Sequence, residues 1–249
     1  NETYGSGAEA AYSTRRLNGS YSGDCMTIRK ADGTTQSIGF VGEEIDEAAI
    51  ETFCSGSTCT VQVWRDQSGN GNDAEQTTPA NQPTIYTGGQ LVKEGGRLTV
   101  DFDGSDDYFE MPAVFTGTNP RTTFFTGYSS ETPSSDTVIF GADFHSTTQA
   151  GANYNITTEI ALRVNQYALW NDNYQATSLK LLTTNWTSGT ALDANIYLDS
   201  VELSTSEGNS SVNLNTGTHT QSLIGLAPYG SNNHLNAVFS EMIFYASDK

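Results

Sequence analysis

Basic residues are scarce in this sequence: 11 Lys and Arg stand against 29 Asp and Glu, which gives a net charge of −18 at pH 7. A surface with this charge repels the phosphate backbones of nucleic acids and the anionic faces of membranes. Long apolar runs are lacking as well, so we expect neither a nucleic-acid partner nor membrane insertion. The acids are scattered along the chain, which favours a general role in solubility, with affinity for cations as the alternative.

Cysteine is also rare, with three residues in the chain. Cys54 and Cys59 enclose the turn-forming sequence Ser-Gly-Ser-Thr, whose ends can approach to disulfide distance. This spacing predicts a Cys54–Cys59 disulfide and hence an oxidising compartment, with two free thiols as the alternative. Cys25 is left over, and we interpret it as a small buried side chain.

Charged residues make up only 16% of the chain, a composition that favours strands and turns over long charged helices. Many short apolar segments are separated by turn signals such as Asp-Gly and Gly-Gly, which predicts an all-β sandwich. Residues 43–53 have helical periodicity, so one short helix is expected there. Residues 1–249 contain no linker and are predicted to form a single domain, in which residues 1–10 are a flexible lead-in from a longer polypeptide.

The segment ANIYLDSVEL at residues 194–203 predicts a tight hairpin. Ile196 and Leu198 lie on one face of the first strand, and Asp-Ser at 199–200 forms the turn. Val201 then begins a return strand, so that the two strands share one buried face.

The most distinctive segment is VWRDQSGNGND at residues 63–73, where a short apolar strand runs into a loop of turn-forming residue types. Asp66, Asn70 and Asp73 offer hard oxygen ligands, so this loop is a candidate calcium site. The alternative is that these side chains cap turns of their own backbone. The acidic segment DFDGSDDYF at 101–109 is open to the same two interpretations. The sequence requires no cofactor, and calcium is the one that these clusters admit.

Two ordered sets of motifs resemble known families. Residues 158–246 contain YALW, the hairpin IYLDSVEL and the strand FSEMIFY, and this run resembles a laminin G-type domain of the concanavalin A-like superfamily. The resemblance implies a concanavalin A-like jelly-roll sandwich of two antiparallel sheets. It also implies a role in glycan recognition, for which this fold is mainly used.

Residues 11–107 contain AYSTRRL, the loop from Cys54 to Cys59 and DQSGNGND, in an order that resembles the catalytic domain of secreted α-L-arabinofuranosidases. Similar segments occur in phage tail and fibre proteins of this fold. The enzyme resemblance makes Glu159 the counterpart of the catalytic nucleophile, whereas Tyr229 takes the place of the acid/base Asp. The family's adjacent cysteine pair is missing from residues 137–141. Because a phenol is a poor proton donor at neutral pH, the resemblance supports the scaffold more than the activity.

Glycan recognition needs aromatic faces for the C–H surfaces of sugars and polar groups for their hydroxyls. Two segments near predicted strand ends have this composition. The candidate ligand-binding residues are Tyr167, Trp170, Asp172, Tyr174, Tyr229, Asn232, Asn233 and His234. For Tyr167 and Trp170 a core position is the alternative, because they point to opposite faces of one strand.

We therefore predict a non-catalytic, lectin-like module that recognises glycans or joins subunits in an extracellular, secreted or virion-surface protein such as a phage fibre. Its partners would be a cell-surface or extracellular polysaccharide and other subunits of a larger assembly. The first alternative is an arabinofuranosidase-like glycoside hydrolase that uses Glu159, with Asp143, Asp172 or Glu241 as the candidate second carboxylate. The second alternative is a purely structural virion or filament subunit.

Overall fold

Strands form almost all of the regular structure in the computed structural model of this chain. The structure describes residues 7–115, 120–129, 139–141, 153–156, 160–164, 167–171, 178–186, 194–204, 206–207, 221–226, 234–247 and 249. For 153–156, 160–164, 167–171 and 206–207 it describes the backbone alone.

The first part of the chain has thirteen strands, one helix and one short 3-10 turn, all short. They are β1 (Ala10–Ser13), β2 (Met26–Lys30), β3 (Thr35–Ile38), β4 (Phe40–Val41), β5 (Glu44–Ile45), α1 (Glu47–Cys54), β6 (Cys59–Trp64), β7 (Ala74–Glu75), the 3-10 turn Pro79–Asn81, β8 (Thr84–Thr87), β9 (Gln90–Leu91), β10 (Lys93–Glu94), β11 (Arg97–Leu98), β12 (Val100–Asp103) and β13 (Phe109–Pro112).

In the described part of residues 121–249 the regular elements are all strands, of which the first and the last are the longest. They are β14 (Arg121–Tyr128), β15 (Phe140–Gly141), β16 (Asn153–Ile156), β17 (Ile160–Val164), β18 (Tyr167–Asn171), β19 (Lys180–Trp186), β20 (Ala194–Leu198), β21 (Val201–Glu202), β22 (Ser206–Glu207), β23 (Gln221–Ile224) and β24 (Asn236–Tyr245).

Most strands belong to one 16-stranded sheet, whose main path has the order β15-β23-β13-β7-β6-β8-β12-β24-β14-β19-β20-β21, while β1, β2, β3 and β9 pair beside this path. A second sheet has the order β16-β17-β18-β22, and β4–β5 and β10–β11 are separate two-stranded ribbons. The long pairings are antiparallel, including those of β14 with β19 and β24, β2 with β6, and β16 with β17. The predicted all-β antiparallel sandwich is thereby confirmed.

Strand β24 ties the two ends of the chain together. It pairs with β1, β12 and β14, and its Phe244 lies opposite Ala10 in β1. Ala8 and Ala10 are 3% and 0% exposed, so the packed body already begins within the segment 1–10 that the sequence suggested as a lead-in. The N-terminal strand is thus part of the core.

An aromatic cluster around Phe244 fills the interior. The ring centroid of Phe244 lies 4.6 Å from that of Phe140, 5.6 Å from that of Phe125 and 6.2 Å from that of Tyr12. All four side chains are buried, and each contributes roughly 2–3 kcal/mol by removal of apolar surface from water. These contacts join strands from both ends of the chain, which fixes the sandwich.

Helix α1 begins later than predicted, at Glu47, because residues 44–45 pair with 40–41 instead of joining the helix. Asp46 caps it by accepting a hydrogen bond from the Ala49 backbone N–H at 2.9 Å. The helix ends at Cys54, whose sulfur is bonded to Cys59 at the start of β6, so the predicted disulfide is present. None of the helices in the described part of the chain has the length and apolar character of a membrane span.

The hairpin predicted at residues 194–203 is formed by β20 and β21. Its turn residues Asp199 and Ser200 have φ values of 49° and 68°, the left-handed pair that a two-residue hairpin turn requires. Ile196 is fully buried as predicted. Val201 is 66% exposed, so the prediction of a buried return strand is wrong there, because β21 is the edge strand of the path.

Candidate functional site

The distinctive loop 66–73 is organised around the buried carboxylate of Asp66. Its Oδ1 accepts hydrogen bonds from the backbone N–H groups of Ala11 and Ser68, both at 2.8 Å. Its Oδ2 accepts from the Ser68 hydroxyl at 2.7 Å and from the Asn72 backbone N–H at 3.0 Å. Both oxygens are therefore used to shape the loop and to attach it to β1.

The neighbouring Gln67 extends this attachment. Its buried side chain accepts a hydrogen bond from the Leu17 backbone N–H at 2.8 Å. Its Nε2 donates to the backbone carbonyls of Ser13 and Arg15, both at 3.0 Å. One amide thus satisfies three main-chain groups of the N-terminal segment, and those that are buried would be costly to leave unpaired.

Asn70 and Asp73, the other candidate calcium ligands of this loop, are also engaged with the protein. Asn70 donates its Nδ2 to the Ala8 carbonyl at 2.8 Å. Asp73 accepts from the Asp66 backbone N–H at 2.8 Å and forms an ion pair with Arg65 at 2.6 Å. This arrangement favours the turn-capping alternative for the loop, and calcium binding here stays a prediction.

The acidic turn after β12 brings three carboxylates together. The ligand oxygens of Asp103, Asp106 and Asp107 all lie within 4.8 Å of one another. Burial, followed by the charges of the neighbouring aspartates, raises the pKa of Asp107 to about 7, although a hydrogen bond from the Asp103 N–H opposes the shift. The same cause, burial, raises the pKa of Asp101. The turn has the donor chemistry of a cation site, and calcium there also stays a prediction.

The raised pKa of Asp107 predicts a pH-dependent stability. Between its unfolded value near 3.8 and its folded value of about 7, the folded state binds the extra proton, so the free energy of unfolding falls as the pH rises. The Asp107→Asn variant keeps the acceptor for the Asp103 N–H and removes the charge. We expect it to melt above the wild type at about pH 8 and level with it at about pH 4, by scanning calorimetry.

The exposed neighbour Asp106 supplies the matched control for that experiment. Asp106→Asn removes one acid from the same turn without removing a buried charge, so its melting curve should track that of the wild type much more closely. If the difference between Asp107→Asn and the wild type is the same at every pH, burial of the charge is not what sets the pH dependence.

The end of β23 lies against this acidic turn. A Cβ at Gly225, whose φ is 86°, would stand 2.7 Å from the Phe102 ring and 3.2 Å from the Asp107 carbonyl oxygen, so glycine is required there. Just beyond Gly225, Leu226 forms an isolated antiparallel β-bridge with His234. The ring centroid of His234 lies 6.3 Å from that of Tyr108. These residues flank segment 227–233, which contains Tyr229.

A shallow groove of about 420 Å³ lies beside loop 66–73. It is lined by Asp73, Glu75, Glu110 and Gln221, among others. Glu75 and Glu110 are direct partners across the β7–β13 pair, so their Cβ atoms are about 5 Å apart. The sequence reasoning missed this exposed carboxylate pair, although both residues stand at polar positions of alternating strands.

The structure leaves most of the predicted ligand-binding residues without a described geometry. Tyr167 and Trp170 lie on β18, where the backbone alone is described. His234 is partly buried beside Tyr108, at the border of the described region. The remaining predicted site residues fall outside the described residues: Glu159, Asp172, Tyr174, Tyr229, Asn232 and Asn233. Their roles stay predictions.

Of the three candidate second carboxylates, the structure describes Glu241 alone. Glu241, on β24, forms a two-point ion pair with Arg15, with oxygen-to-nitrogen distances of 2.8 and 3.2 Å. It also accepts a hydrogen bond from the Ser13 hydroxyl at 3.0 Å. This is the setting of a structural carboxylate that fastens β1 to β24. Asp143, like Asp172, falls outside the described residues.

Comparison with known proteins points to one enzyme family. The family model "Alpha-L-arabinofuranosidase B, catalytic" matches residues 2–133, over half of the chain. The α-L-arabinofuranosidase B of Emericella nidulans is 42% identical over 82 residues, which are 30% of this chain and 16% of that protein.

Solved structures of similar proteins agree with the fold. A mutant GH54 α-L-arabinofuranosidase soaked with 4-nitrophenyl α-L-arabinofuranoside superposes with a TM-score of 0.70 at 17% identity, covering 97% of this chain and 59% of that one. An arabinofuranosidase complexed with arabinofuranosyl-α-1,2-xylobiose gives a TM-score of 0.63 at 19% identity, covering 97% and 60%. The chain therefore spans less than two thirds of these relatives.

These findings correct the function predicted from the sequence. The matched family model describes a catalytic domain, so the prediction of a non-catalytic, lectin-like module is wrong, and the assignment to laminin G-type domains is not supported. These relatives are arabinofuranosidases, so a phage-fibre, virion-surface or filament role has no support either. The comparisons favour the first alternative, a glycoside hydrolase.

Proposed function

The chain belongs to the family of the α-L-arabinofuranosidase B catalytic domain, and from this membership we propose that it is a glycoside hydrolase that releases L-arabinofuranosyl units. The observation that carries the proposal is the match of the family model over residues 2–133. The fold supports it, since the superposition on GH54 α-L-arabinofuranosidases extends over 97% of the chain.

We propose Glu159 as the nucleophile of a retaining mechanism. In such a mechanism a carboxylate attacks the anomeric carbon, the glycosidic oxygen leaves with a proton from a second group, and water then hydrolyses the glycosyl-enzyme bond. Tyr229 stands where the family resemblance implies an Asp as the proton donor. Of the candidate second carboxylates the structure describes Glu241 alone, and its two-point ion pair with Arg15 disfavours it as the donor.

The proposed substrate is an arabinose-containing polysaccharide, because a related enzyme has been solved with arabinofuranosyl-α-1,2-xylobiose. An extracellular location fits this substrate and fits the Cys54–Cys59 disulfide, since disulfides persist in oxidising compartments. Polymers of this kind do not enter cells, so a secreted enzyme would meet them outside.

Hydrolysis of 4-nitrophenyl α-L-arabinofuranoside by the purified chain tests the proposal. This substrate is well suited because 4-nitrophenolate leaves without a proton, so an impaired acid group costs little in the first step. We expect measurable release of 4-nitrophenol, with slower turnover of an arabinosylated xylo-oligosaccharide, whose sugar leaving group needs protonation. The matched 4-nitrophenyl β-D-xylopyranoside should stay intact. Absence of turnover on both arabinosides, from a folded chain, would overturn the proposed activity.

A further inference from the structure

A second and larger groove, of about 580 Å³, lies on the outer face of β14 and β24. Its floor is apolar and includes Phe124, Ile243 and Tyr245. The ribbon β10–β11 contributes Arg97 to its wall. Because it lies on the outer face of these two strands, we refer to this feature as the outer groove.

Several of the few basic residues of the chain line the outer groove. Four of the 11 basic residues line it, namely Arg15, Arg97, Lys180 and Lys249, whereas Glu241 is the single acid among its described lining residues. The other acids of the described part of the chain are not among these lining residues. The described lining has three net positive charges, a local reversal of the sign of the chain, whose net charge is −18.

The four cations are not all neutralised by the protein. Arg15 pairs with Glu241 at 2.8 Å, and Lys180 pairs with Asp199 at 2.7 Å. Lys249 instead places its Nζ 4.9 Å from the ring centroid of Tyr245, directly over the aromatic floor. Arg97 is exposed and has no ionic partner among the residues that the structure describes. Arg97 and Lys249 are therefore the two lining cations without an ion pair to any residue that the structure describes.

The geometry points to a binding site for the carboxylate-bearing sugar units of an acidic polysaccharide. An aromatic and aliphatic floor suits the C–H face of a pyranose ring, and a guanidinium on the rim suits a carboxylate, which it can bind with two parallel hydrogen bonds. A volume of about 580 Å³ accommodates a short oligosaccharide. The choice of a sugar as the anion rests on the proposed function, whereas the preference for an anion rests on the charges alone.

A long polyanion of high charge density fits less well. The net charge of −18 on the chain as a whole would repel the flanking charges of a nucleic acid or of an anionic membrane, and the groove is limited to about 580 Å³. A polysaccharide with one carboxylate per sugar unit has a lower charge density and can present a single unit to the groove.

Titration calorimetry with tetragalacturonic acid tests the proposal on the full chain. We expect binding that weakens as salt is raised, and a loss of about tenfold in affinity for Arg97→Gln, because one charge-assisted contact is removed. The control is Lys93→Gln, which changes an exposed cation on the same ribbon that pairs with Glu47 and does not line the groove. This control should bind as the wild type does. A neutral arabinotetraose should show no binding that depends on Arg97.

Three results would overturn the proposal. They are absence of binding, equal losses in Arg97→Gln and Lys93→Gln, and a concentration-dependent self-association that Arg97→Gln abolishes, which would make the outer groove an interface between copies. Release of 4-nitrophenol from the aryl arabinoside is measured on the same samples. It reports on the proposed activity independently, so that a failure of one proposal is distinguishable from a failure of the other.

Discussion

Glu159→Gln is expected to reduce the turnover of 4-nitrophenyl α-L-arabinofuranoside by more than about a thousandfold, because removal of a nucleophile leaves only binding and electrostatic contributions to catalysis. The loss should fall on kcat, with little change in KM, since an uncharged isostere preserves the shape of the site. Glu159→Ala with added azide should regain part of the rate and yield the glycosyl azide. An inverted anomeric configuration of that azide distinguishes a missing nucleophile from a missing acid/base, because azide attack on a glycosyl-enzyme would retain the configuration of the substrate.

Two further variants make this result decisive. Glu202→Gln changes an exposed carboxylate on the edge strand β21 and should retain the activity of the wild type. Glu110→Gln tests the rival carboxylate pair with Glu75 in the groove beside loop 66–73. If Glu110→Gln is inactive and Glu159→Gln is active, the reacting carboxylate lies in that groove, and the assignment drawn from the family resemblance is wrong.

The fold was largely predictable because its signals are local. Short alternating segments and glycine-rich turns indicate antiparallel strands, and the Asp-Ser turn at 199–200 lies where the alternation reverses. The start of α1 was missed because Glu44 and Ile45 pair with a neighbouring strand, a tertiary contact that helical periodicity does not report. Burial of Ala8 and Ala10 was missed for the same reason, since their partner β24 lies at the other end of the chain.

The function was less predictable because sandwich scaffolds of this kind serve both to bind and to cut glycans, and activity depends on a few residues. The substitution of Tyr229 at the expected acid position weighed against catalysis, and the match to a catalytic family model outweighs it. The Asp-rich loop 66–73 also drew attention as a ligand site. The hydrogen bond from the Ala11 N–H to Asp66 attaches the N-terminal strand, which favours the turn-capping alternative, and calcium binding in the loop stays a prediction.

Asp66→Ala is accordingly expected to be strongly destabilising. It removes four acceptor contacts at once and leaves the buried Ala11 N–H without a partner. Such a loss typically costs about 3–5 kcal/mol, which for a chain of this length lowers Tm by roughly 10 °C. Thermal unfolding followed by circular dichroism measures the shift.

Asp32→Ala is the matched control, and it separates the two roles of the Asp66 side chain. Asp32 makes the same local contact, accepting the backbone N–H of Thr34 two residues ahead at 2.9 Å, but it is exposed and has no bond to a distant strand among the described residues. We expect little change in its Tm. Equal losses in both variants would mean that the local turn, and not the bond to β1, stabilises the fold. A large loss in Asp66→Ala alone would make loop 66–73 the attachment point of the N-terminal strand, because the other contacts of Asp66 are as local as those of Asp32.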